Sequence, residues 1–407
     1  STFVDCMKAL KEDARLALEG LPWEYGDAAE MQRLSAKYAG ADQGKVTRVF
    51  GANFIGRMSG KVVEAFVAKA DLLAASPAYS DQSGVDWKTA AASAAKVLNH
   101  IGGVDGMDPT GWTWYCNVDD IEKLSPTESP AEILWRGERA KSLSLEEDNF
   151  PPTLYGNGRI NPTQNLVDAF PMLNGYPVSH LSGEYDENLP YANRDPRLEA
   201  YILYNGCKAG NTNKEIFTAA DGTTNDALNK VVGRSTRTGY YLRKLLRQDI
   251  SLDPNAKADQ YHYTPRIRYT EIFLAYAEAA NQAYGPQDKG GNGYSAYDVV
   301  KKLRHRAGIG RDNGDAYLES IKNDQAKMAE LIRNERRIEL CFEGFRFWDL
   351  RRWKSNLTET AKGMNISGTR YTPMEVDKRS FSEYMYYGPI PYSEVLKYDE
   401  LKQNQGW

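Results

Sequence analysis

The sequence predicts a mainly α-helical protein in which a bundle of paired helices carries a large, irregular, loop-rich subdomain. Two alanine-rich stretches have helical periodicity, and the long segment between them is dominated by Gly, Pro, Asn, Asp and aromatic residues. A third observation is a dense run of arginines, acids and aromatics near the C-terminus. The chain has 407 residues, 41% of them hydrophobic, which is enough for a substantial core.

The two alanine-rich stretches each predict a helical hairpin. Apolar spacing indicates a helix over residues 62–75, which Pro77 ends, and a second helix over residues 86–98. The same plan recurs at residues 269–284 and 296–306. Small residues on these helices let a neighbouring helix approach closely, as in tetratricopeptide-type pairs that stack to bury their faces. We therefore predict a tetratricopeptide-like helix bundle.

These patterns divide the chain into four segments that we expect to form one compact body. Residues 1–101 should be helical pairs, and residues 102–237 should be the irregular subdomain, with short elements of its own. Residues 238–355 should hold a helical pair and the arginine-rich helix. Residues 356–407 should be a loop-rich C-terminal segment.

The arginine-rich run, residues 332–354, reads IRNERRIELCFEGFRFWDLRRWK. An apolar stripe that includes Ile338 and Trp348 recurs at helical steps beside a charged flank that includes Arg336. Buried Arg and Glu normally need one another as partners, so we interpret the run as a scaffold helix and not as a binding site. Gly344 in its middle indicates either two helical pieces that meet there or a close backbone approach.

The composition argues against several classes of protein. The net charge of -4 and the pI near 5.8 lack the basic excess of a nucleic-acid-binding surface, so we expect no nucleic-acid partner. The sequence has no run of roughly eighteen apolar residues, the length that would predict a membrane-spanning helix. Its four scattered cysteines form no CxxC pair, which argues against a zinc site and favours free buried thiols.

The sequence also lacks the common catalytic motifs. Its four histidines are isolated, and it has no HExxH, Walker A or GxSxG motif. Adjacent acids at residues 119–120 and 146–148 are predicted to be solvated loop charges, although sequence neighbours say nothing about the carboxylate separation that a glycosidase needs. We therefore predict that the protein is not an enzyme and uses no cofactor or metal.

Aromatic residues in loops are the main candidates for ligand contacts. Trp112, Trp114 and Tyr115 lie in the segment GWTWYC, where at least one ring held at the surface could stack on the apolar face of a sugar. Core packing is the alternative for each ring. Weaker candidates in aromatic or polar loops are Tyr155, Tyr185, Tyr191, Tyr204, Asn211, Asn213, Asp221 and Asn225. The tryptophans expected to pack in the core are Trp87, Trp135, Trp348 and Trp353.

The run at residues 332–354 closely resembles the signature of the SusD-like (SusD/RagB) family of outer-membrane nutrient-binding lipoproteins. Further stretches resemble the same family in the expected order. They lie at residues 56–57, 65–77, 161–178, 193–198, 240–245, 266–281, 303–309 and 388–407. One such stretch would be a weak signal, but the ordered set spans the chain from about Gly56 to Trp407 and is highly specific.

The resemblance implies a SusD-like fold and a non-catalytic glycan-binding protein that delivers oligosaccharides to a TonB-dependent (SusC-like) outer-membrane transporter. It also implies a position on the extracellular face of the outer membrane, with a lipid anchor on an N-terminal cysteine. Cys6 does not fit such an anchor, because Phe3, Val4 and Asp5 precede it where small residues are needed. We therefore expect that the anchor and some helices belong to an N-terminal portion that is absent from this chain.

Three other functions stay open at this point. The ligand-binding cleft that the resemblance implies could capture peptides instead of glycans, since related proteins serve peptide uptake. The chain could be a structural lid of the transporter without a ligand site of its own. It could also be a glycoside hydrolase, which would release new reducing ends from polysaccharides.

Overall fold

The computed structural model describes residues 2–38 and 42–407. Within these ranges the α-helices are α1 (Phe3–Gly20), α2 (Ala28–Lys37), α3 (Gln43–Phe50), α4 (Gly60–Ala75), α5 (Ser80–Ser83), α6 (Trp87–Asn99), α7 (Val118–Ile121), α8 (Ser144–Asn149), α9 (Gln164–Val167), α10 (Pro196–Tyr201), α11 (Tyr269–Tyr284), α12 (Ala296–Ala307), α13 (Ala316–Ile321), α14 (Gln325–Glu339), α15 (Phe345–Arg352) and α16 (Tyr392–Val395). The strands are β1 (Ile133–Ser142), β2 (Ile202–Leu203), β3 (Lys208–Ala209), β4 (Lys214–Glu215), β5 (Tyr241–Leu242), β6 (Gln260–Arg268), β7 (Ala361–Ser367) and β8 (Arg370–Asp377). The predicted mainly helical fold is confirmed.

The helix bundle is built around α11, which packs against α4, α6, α12 and α14. The four helices predicted from periodicity are present as α4, α6, α11 and α12, with bounds that differ from the prediction by no more than two residues. Alanines that include Ala91, Ala94 and Ala279 are fully buried where α6 and α11 face their neighbours, so the backbones can approach closely. Asp86 caps α6 by accepting a hydrogen bond from the Thr89 backbone amide at 2.8 Å.

The irregular subdomain has its own buried clusters and short elements. Phe170, Tyr201 and Tyr240 are fully buried in one of these clusters. The subdomain is joined to the bundle by the pairing of β1 with β6, an antiparallel ribbon with irregular register between Ile133 and Arg139. We did not predict this ribbon from the sequence, because its two strands are far apart in the chain.

A second β-hairpin corrects the loop assignment near the C-terminus. β7 and β8 pair in antiparallel register and turn at Ser367 and Arg370. Gly368, in this turn, has φ of +58°, a conformation that glycine adopts without steric cost. The segment therefore forms a strand pair where we had expected irregular loop.

The arginine-rich run consists of two helical pieces that meet near Gly344, as one of the two sequence interpretations proposed. α14 ends at Glu339, and α15 begins at Phe345 directly after Gly344, whose φ is +84°. A Cβ atom added at Gly344 would have no neighbour within 4 Å. The glycine is therefore required by its left-handed backbone and not by a close approach of other atoms.

Replacing Gly344 with alanine should lower the free energy of unfolding by about 1 kcal/mol, because an L-residue is strained at this positive φ while the added methyl meets open space. Urea denaturation would measure the change. Gly388→Ala is the matched control, since its Cβ would also meet open space and its φ lies outside the left-handed range. An equal loss in both variants would contradict this account.

Glu335, Glu339 and Glu343 of the arginine-rich run are buried against cations from other parts of the chain. Asp349 pairs with Arg336 and Arg352 of the same run. The resulting arginine–carboxylate network consists of Arg197, Lys244, Arg268, Arg304 and Arg306 with Glu132, Asp195, Asp315, Glu335, Glu339 and Glu343. Arg197 is fully buried and lies 2.8 Å from Glu335 and 2.9 Å from Glu339. The predicted scaffold role is supported, but most partners come from distant segments and not from neighbouring turns of one helix.

The burial of three residues differs from the prediction. Trp348 is 64% exposed and forms an edge-to-face pair with exposed Phe347, with ring centroids 5.0 Å apart. Core packing of Trp348 was therefore a wrong prediction, because α15 turns its apolar stripe away from the core beyond Phe345. Cys6 is exposed, whereas a buried thiol was expected. Glu146 is fully buried, whereas a solvated loop charge was expected.

In the part of the chain that the structure describes, no helix combines the length and the apolar character needed to cross a membrane. The same residues contain no group of three or more His, Cys, Asp or Glu side chains placed to hold a metal ion.

Candidate functional site

A cavity of about 550 Å³ lies beside the β1–β6 ribbon, and we call it the ribbon cavity. Side chains that line it include Trp114, Tyr115, Ala140, Tyr263, Glu271 and Phe345. Its volume falls within the roughly 300 to 1,000 Å³ that is typical of small-molecule sites, and its wall combines aromatic rings with a few polar groups. A second depression of about 620 Å³, near α12, carries Lys289, Lys301 and Lys302 and has Tyr294 as its one aromatic residue. The ribbon cavity is therefore the better candidate for a ligand with apolar faces.

One wall of the ribbon cavity comes from the GWTWYC segment. Trp114 and Tyr115 are both buried, with their rings edge to face and the centroids 5.7 Å apart. The Tyr115 hydroxyl donates a hydrogen bond to the Ala200 carbonyl at 3.0 Å, and burial raises the pKa of this phenol well above its usual value. Trp112 is half-buried outside the cavity, and its carbonyl accepts a hydrogen bond from Tyr201 at 2.8 Å. The structure thus places two of the three candidate rings in the cavity wall.

The ribbon itself forms another part of the cavity lining. Tyr263 on β6 is buried, and its hydroxyl accepts a hydrogen bond from Arg139 Nε on β1 at 3.0 Å. The Arg139 guanidinium also lies 3.7 Å from the centre of the Tyr261 ring. These contacts across the two strands hold the Tyr263 ring in a fixed position, which favours a preformed site.

Two buried polar atoms in the cavity lining have no partner among the described residues. Trp114 is 4% exposed and its indole N–H makes no hydrogen bond. Glu271 is 3% exposed, and its Oε1 pairs with Lys69 Nζ at 2.7 Å while its Oε2 is unpaired. Burial raises the pKa of Glu271, and Lys69 opposes that shift. Each unpaired buried polar atom costs about 1 to 3 kcal/mol. Both atoms are closed off from solvent, so they do not face the open volume of the cavity.

The backbone behind the cavity is strained at two non-glycine residues. Leu245, which lines the cavity, has φ of +70°, and Phe342 has φ of +65°. The segments that carry them are joined by Lys244, whose ammonium donates hydrogen bonds to the Glu339 and Cys341 carbonyls at 2.6 and 3.1 Å. Strained residues that the surrounding structure holds in place cluster at functional sites, so this observation also favours the ribbon cavity.

Two of the weaker tyrosine candidates stack on each other away from the ribbon cavity. The rings of Tyr191 and Tyr204 are 4.3 Å apart at an angle of 24°, and they line a small cavity of about 310 Å³ together with Arg194 and Glu199. The Arg194 guanidinium lies 5.6 Å from the ring of Tyr185. These candidates form a separate aromatic group, in which Tyr191 and Tyr204 already cover part of each other's ring faces.

The remaining candidates are dispersed over the surface of the subdomain. Tyr155 is 54% exposed, and Asn211 and Asn213 are exposed in the turn between β3 and β4. Asp221 accepts a hydrogen bond from the Gly368 amide at 2.9 Å, and the Asn225 carbonyl accepts one from Ser235. None of these five residues lines the ribbon cavity.

Several residues of the cavity wall were not among the candidates predicted from the sequence. Tyr263 and His262 lie on β6, and the alternation of Tyr261, Tyr263 and Pro265 in QYHYTPRIR was a usable strand signal that we included in a helical segment. His262 Nε2 lies 3.0 Å from Glu146 Oε1, which also accepts a hydrogen bond from a backbone amide. Glu146 is therefore a structural carboxylate beneath the ribbon.

Comparison with known proteins gives a consistent family match. A model of the SusD family matches residues 135–407. Two curated relatives from Formosa agariphila are similar over shorter stretches: SusD-like protein P38 is 33% identical over 85 residues, and SusD-like protein P2 is 32% identical over 152 residues. The stretches cover 21% and 37% of this chain but only 16% and 26% of the two relatives.

Two crystal structures from Bacteroides fragilis have a similar fold. A SusD-like protein has a TM-score of 0.69 and 25% identity, over 99% of this chain and 71% of its own. A protein described as a SusD-like carbohydrate binding protein has a TM-score of 0.62 and 22% identity, over 90% of this chain and 68% of its own. At 22% identity, the similarity to the second structure supports the fold alone.

Proposed function

Because the chain belongs to the SusD family, we propose that it is a non-catalytic cell-surface protein that binds glycans and delivers them to a TonB-dependent outer-membrane transporter. The observation that carries the glycan part of this proposal is the ribbon cavity, whose lining combines aromatic rings with polar side chains. The transporter partnership, the lipid anchor and the extracellular position rest on family membership.

The binding mechanism is capture without bond breaking. The rings of Trp114, Tyr115, Tyr263 and Phe345 offer apolar surface for the C–H face of a sugar, and the polar atoms of the lining receive its hydroxyl groups. The arginine–carboxylate network and the strained backbone behind the cavity hold these groups in place before the ligand arrives. Little ordering is then required on binding, which favours affinity for a flexible oligosaccharide.

Filling the cavity should weaken this binding. Ala140→Trp places an indole where a half-buried methyl group lines the cavity, and we expect at least about a tenfold loss of affinity for the oligosaccharide that binds best on a glycan array. Isothermal titration calorimetry would measure the affinity of each variant for this oligosaccharide. Lys141→Trp is the matched control, because it adds the same side chain at the next position of β1, which is exposed and outside the cavity.

Several outcomes would overturn the proposal. Unchanged affinity in Ala140→Trp would place the glycan elsewhere. Enrichment of peptides alone from mixed glycan and peptide pools would assign the cavity to peptide capture. Release of new reducing ends from labelled polysaccharides would indicate a hydrolase. Copurification with the transporter but no heat with any glycan would indicate a structural lid.

A further inference from the structure

We infer that a tetrahedral oxyanion, a sulfate or phosphate group, binds between Arg337, Arg346 and Arg379, which have no ion-pair or hydrogen-bond partner among the described residues. We call these three residues the open arginine cluster. None of them lines the ribbon cavity, so the site is separate from the proposed glycan site and does not depend on it.

The ends of two helices bring the first two arginines of the cluster together. Arg337 is in the last turn of α14, where its neighbour Arg336 pairs with Asp349 of α15 at 2.7 Å. Arg346 lies three positions before Asp349 and therefore on the same side of α15. The ion pair thus holds the last turn of α14 beside the first turn of α15.

The third arginine comes from the hairpin of β7 and β8. Ala361 and Asp377 form the last pair at the open end of the hairpin, and Arg379 follows directly beyond it. The side chain of Asn165 on α9 holds this end through hydrogen bonds to the backbone on either side of Ala361, at 3.1 and 2.8 Å. Asn334, one turn before the arginine of α14, donates a hydrogen bond at 2.8 Å to a carbonyl just beyond α9. The hairpin end and α14 are therefore attached to the same short helix.

The acids near the cluster leave it with a net positive charge. Asp349 belongs to a balanced group of two arginines and two acids, which it joins through Arg336 and Arg352. Glu359 and Asp168 also act on the cluster, but neither forms an ion pair with it. Three cations consequently face two acids, and no acid is held against a guanidinium of the cluster.

The guanidinium groups of the cluster also repel one another. Burial and then the charge of Arg337 lower the pKa of Arg346 to about 10, and Arg379 acts in the same direction. Burial also lowers the pKa of Arg337, and Arg379 adds to this shift. In the arginine–carboxylate network the opposite holds, because Asp315 and Glu335 raise the pKa of Arg304 against its burial. An anion between the three arginines would relieve their repulsion as those acids do for Arg304.

The nitrogen atoms of the cluster can be reached by a ligand. Arg379 is exposed, and Arg337 and Arg346 are half-buried. Their guanidinium nitrogens make no hydrogen bond, yet none of them is closed off from solvent. A guanidinium only donates, so the ligand must supply acceptor oxygens. A carboxylate presents two oxygens in one plane and suits a single arginine, whereas a sulfate or phosphate group presents oxygens in several directions and can meet three.

The test titrates the protein with inorganic sulfate, inorganic phosphate and galactose 6-sulfate by calorimetry at constant ionic strength. We expect both inorganic ions to bind saturably at one site. Arg337→Gln and Arg346→Gln should each weaken this binding at least about tenfold, because each removes charge-assisted hydrogen bonds. Galactose 6-sulfate that binds at least as tightly as sulfate, and is weakened by the same substitutions, would support a sulfated sugar as the source of the group. Weaker binding of the sugar would support the free ion.

Arg370→Gln is the matched control. Arg370 lies at the turn end of the same hairpin, is exposed and forms no ion pair among the described residues, so its replacement removes the same charge outside the cluster. We expect this variant to keep its affinity for sulfate. The urea midpoint of Arg337→Gln without added anion should not fall, because the substitution relieves repulsion, whereas a purely structural role of Arg337 would lower it. Absence of saturable binding of both ions, or equal affinity in Arg337→Gln and Arg370→Gln, overturns the inference.

Discussion

Replacing Arg197 with alanine should lower the free energy of unfolding by about 3 to 5 kcal/mol, the range for breaking a buried ion pair by removing one partner. Arg197 is fully buried, and its guanidinium lies within 2.9 Å of Asp195, Glu335 and Glu339. Removal of the cation would leave these three carboxylates close together without the charge that holds them. Urea denaturation followed by circular dichroism would measure the loss.

The control for Arg197 is an exposed arginine that also pairs with more than one acid. Arg15 on α1 pairs with Glu12 and Glu19, and all three side chains are exposed to solvent. Arg15→Ala should leave the urea midpoint nearly unchanged, because water and salt already screen these charges. A similar small effect of Arg197→Ala would mean that the buried network contributes little to stability.

The free energy of unfolding should also fall as the pH is lowered from about 4.5 to 2. Burial by itself would raise the pKa of Glu339, but Arg306, Arg197, Arg268 and Lys244 outweigh it and lower the pKa from 4.5 to about 2. A carboxyl whose pKa is lower in the folded state stabilises the protein above its unfolded-state pKa, and this contribution disappears as the pH approaches the folded-state value. For Glu339 the contribution is up to about 3 kcal/mol.

Other buried acids modify this pH dependence in known directions. Their cationic partners also lower the pKa values of Glu343 and Asp349 against burial, so these two acids add to the loss of stability in acid. Burial raises the pKa values of Asp195 and Glu271, so these two oppose it. Urea midpoints measured between pH 5 and pH 2 would give the net slope. Glu339→Gln should flatten that slope, and an unchanged slope would show that Glu339 does not cause it.

The helices could be predicted because their signal is local. Residues 269–284 carry apolar positions at helical spacing, and the structure gives α11 the same bounds. The pairing in the ribbon could not be predicted in this way, because Arg139 and Tyr263 are 124 positions apart. The alternation in β6 indicates a strand but not the strand with which it pairs. The burial of Trp348 was wrongly predicted, because periodicity identifies the apolar stripe of a helix but not the residue at which that stripe leaves the core.

The candidate site was predictable only in its aromatic part. Trp114 and Tyr115 drew attention because rings are unusual in a segment that also carries glycine and proline. Glu271 could not be found from the sequence, since it lies in an ordinary helical turn and becomes notable only when its second oxygen proves to be unpaired. Burial and hydrogen-bond partners depend on contacts between distant segments of the folded chain. They cannot be inferred from the residues that surround Glu271 in the sequence.

The arginine–carboxylate network constrains how this protein can change over generations. Arg197 and Glu339 are 142 positions apart, and Glu339 also pairs with Arg306. A substitution at Arg197 or Glu339 therefore leaves unpaired charges on several distant segments. Such positions can change only in concert. Ala140 on β1 carries no charge and is half-buried, so a substitution at this position leaves no ion pair broken. The charged positions of the network therefore tolerate fewer single substitutions than Ala140 does.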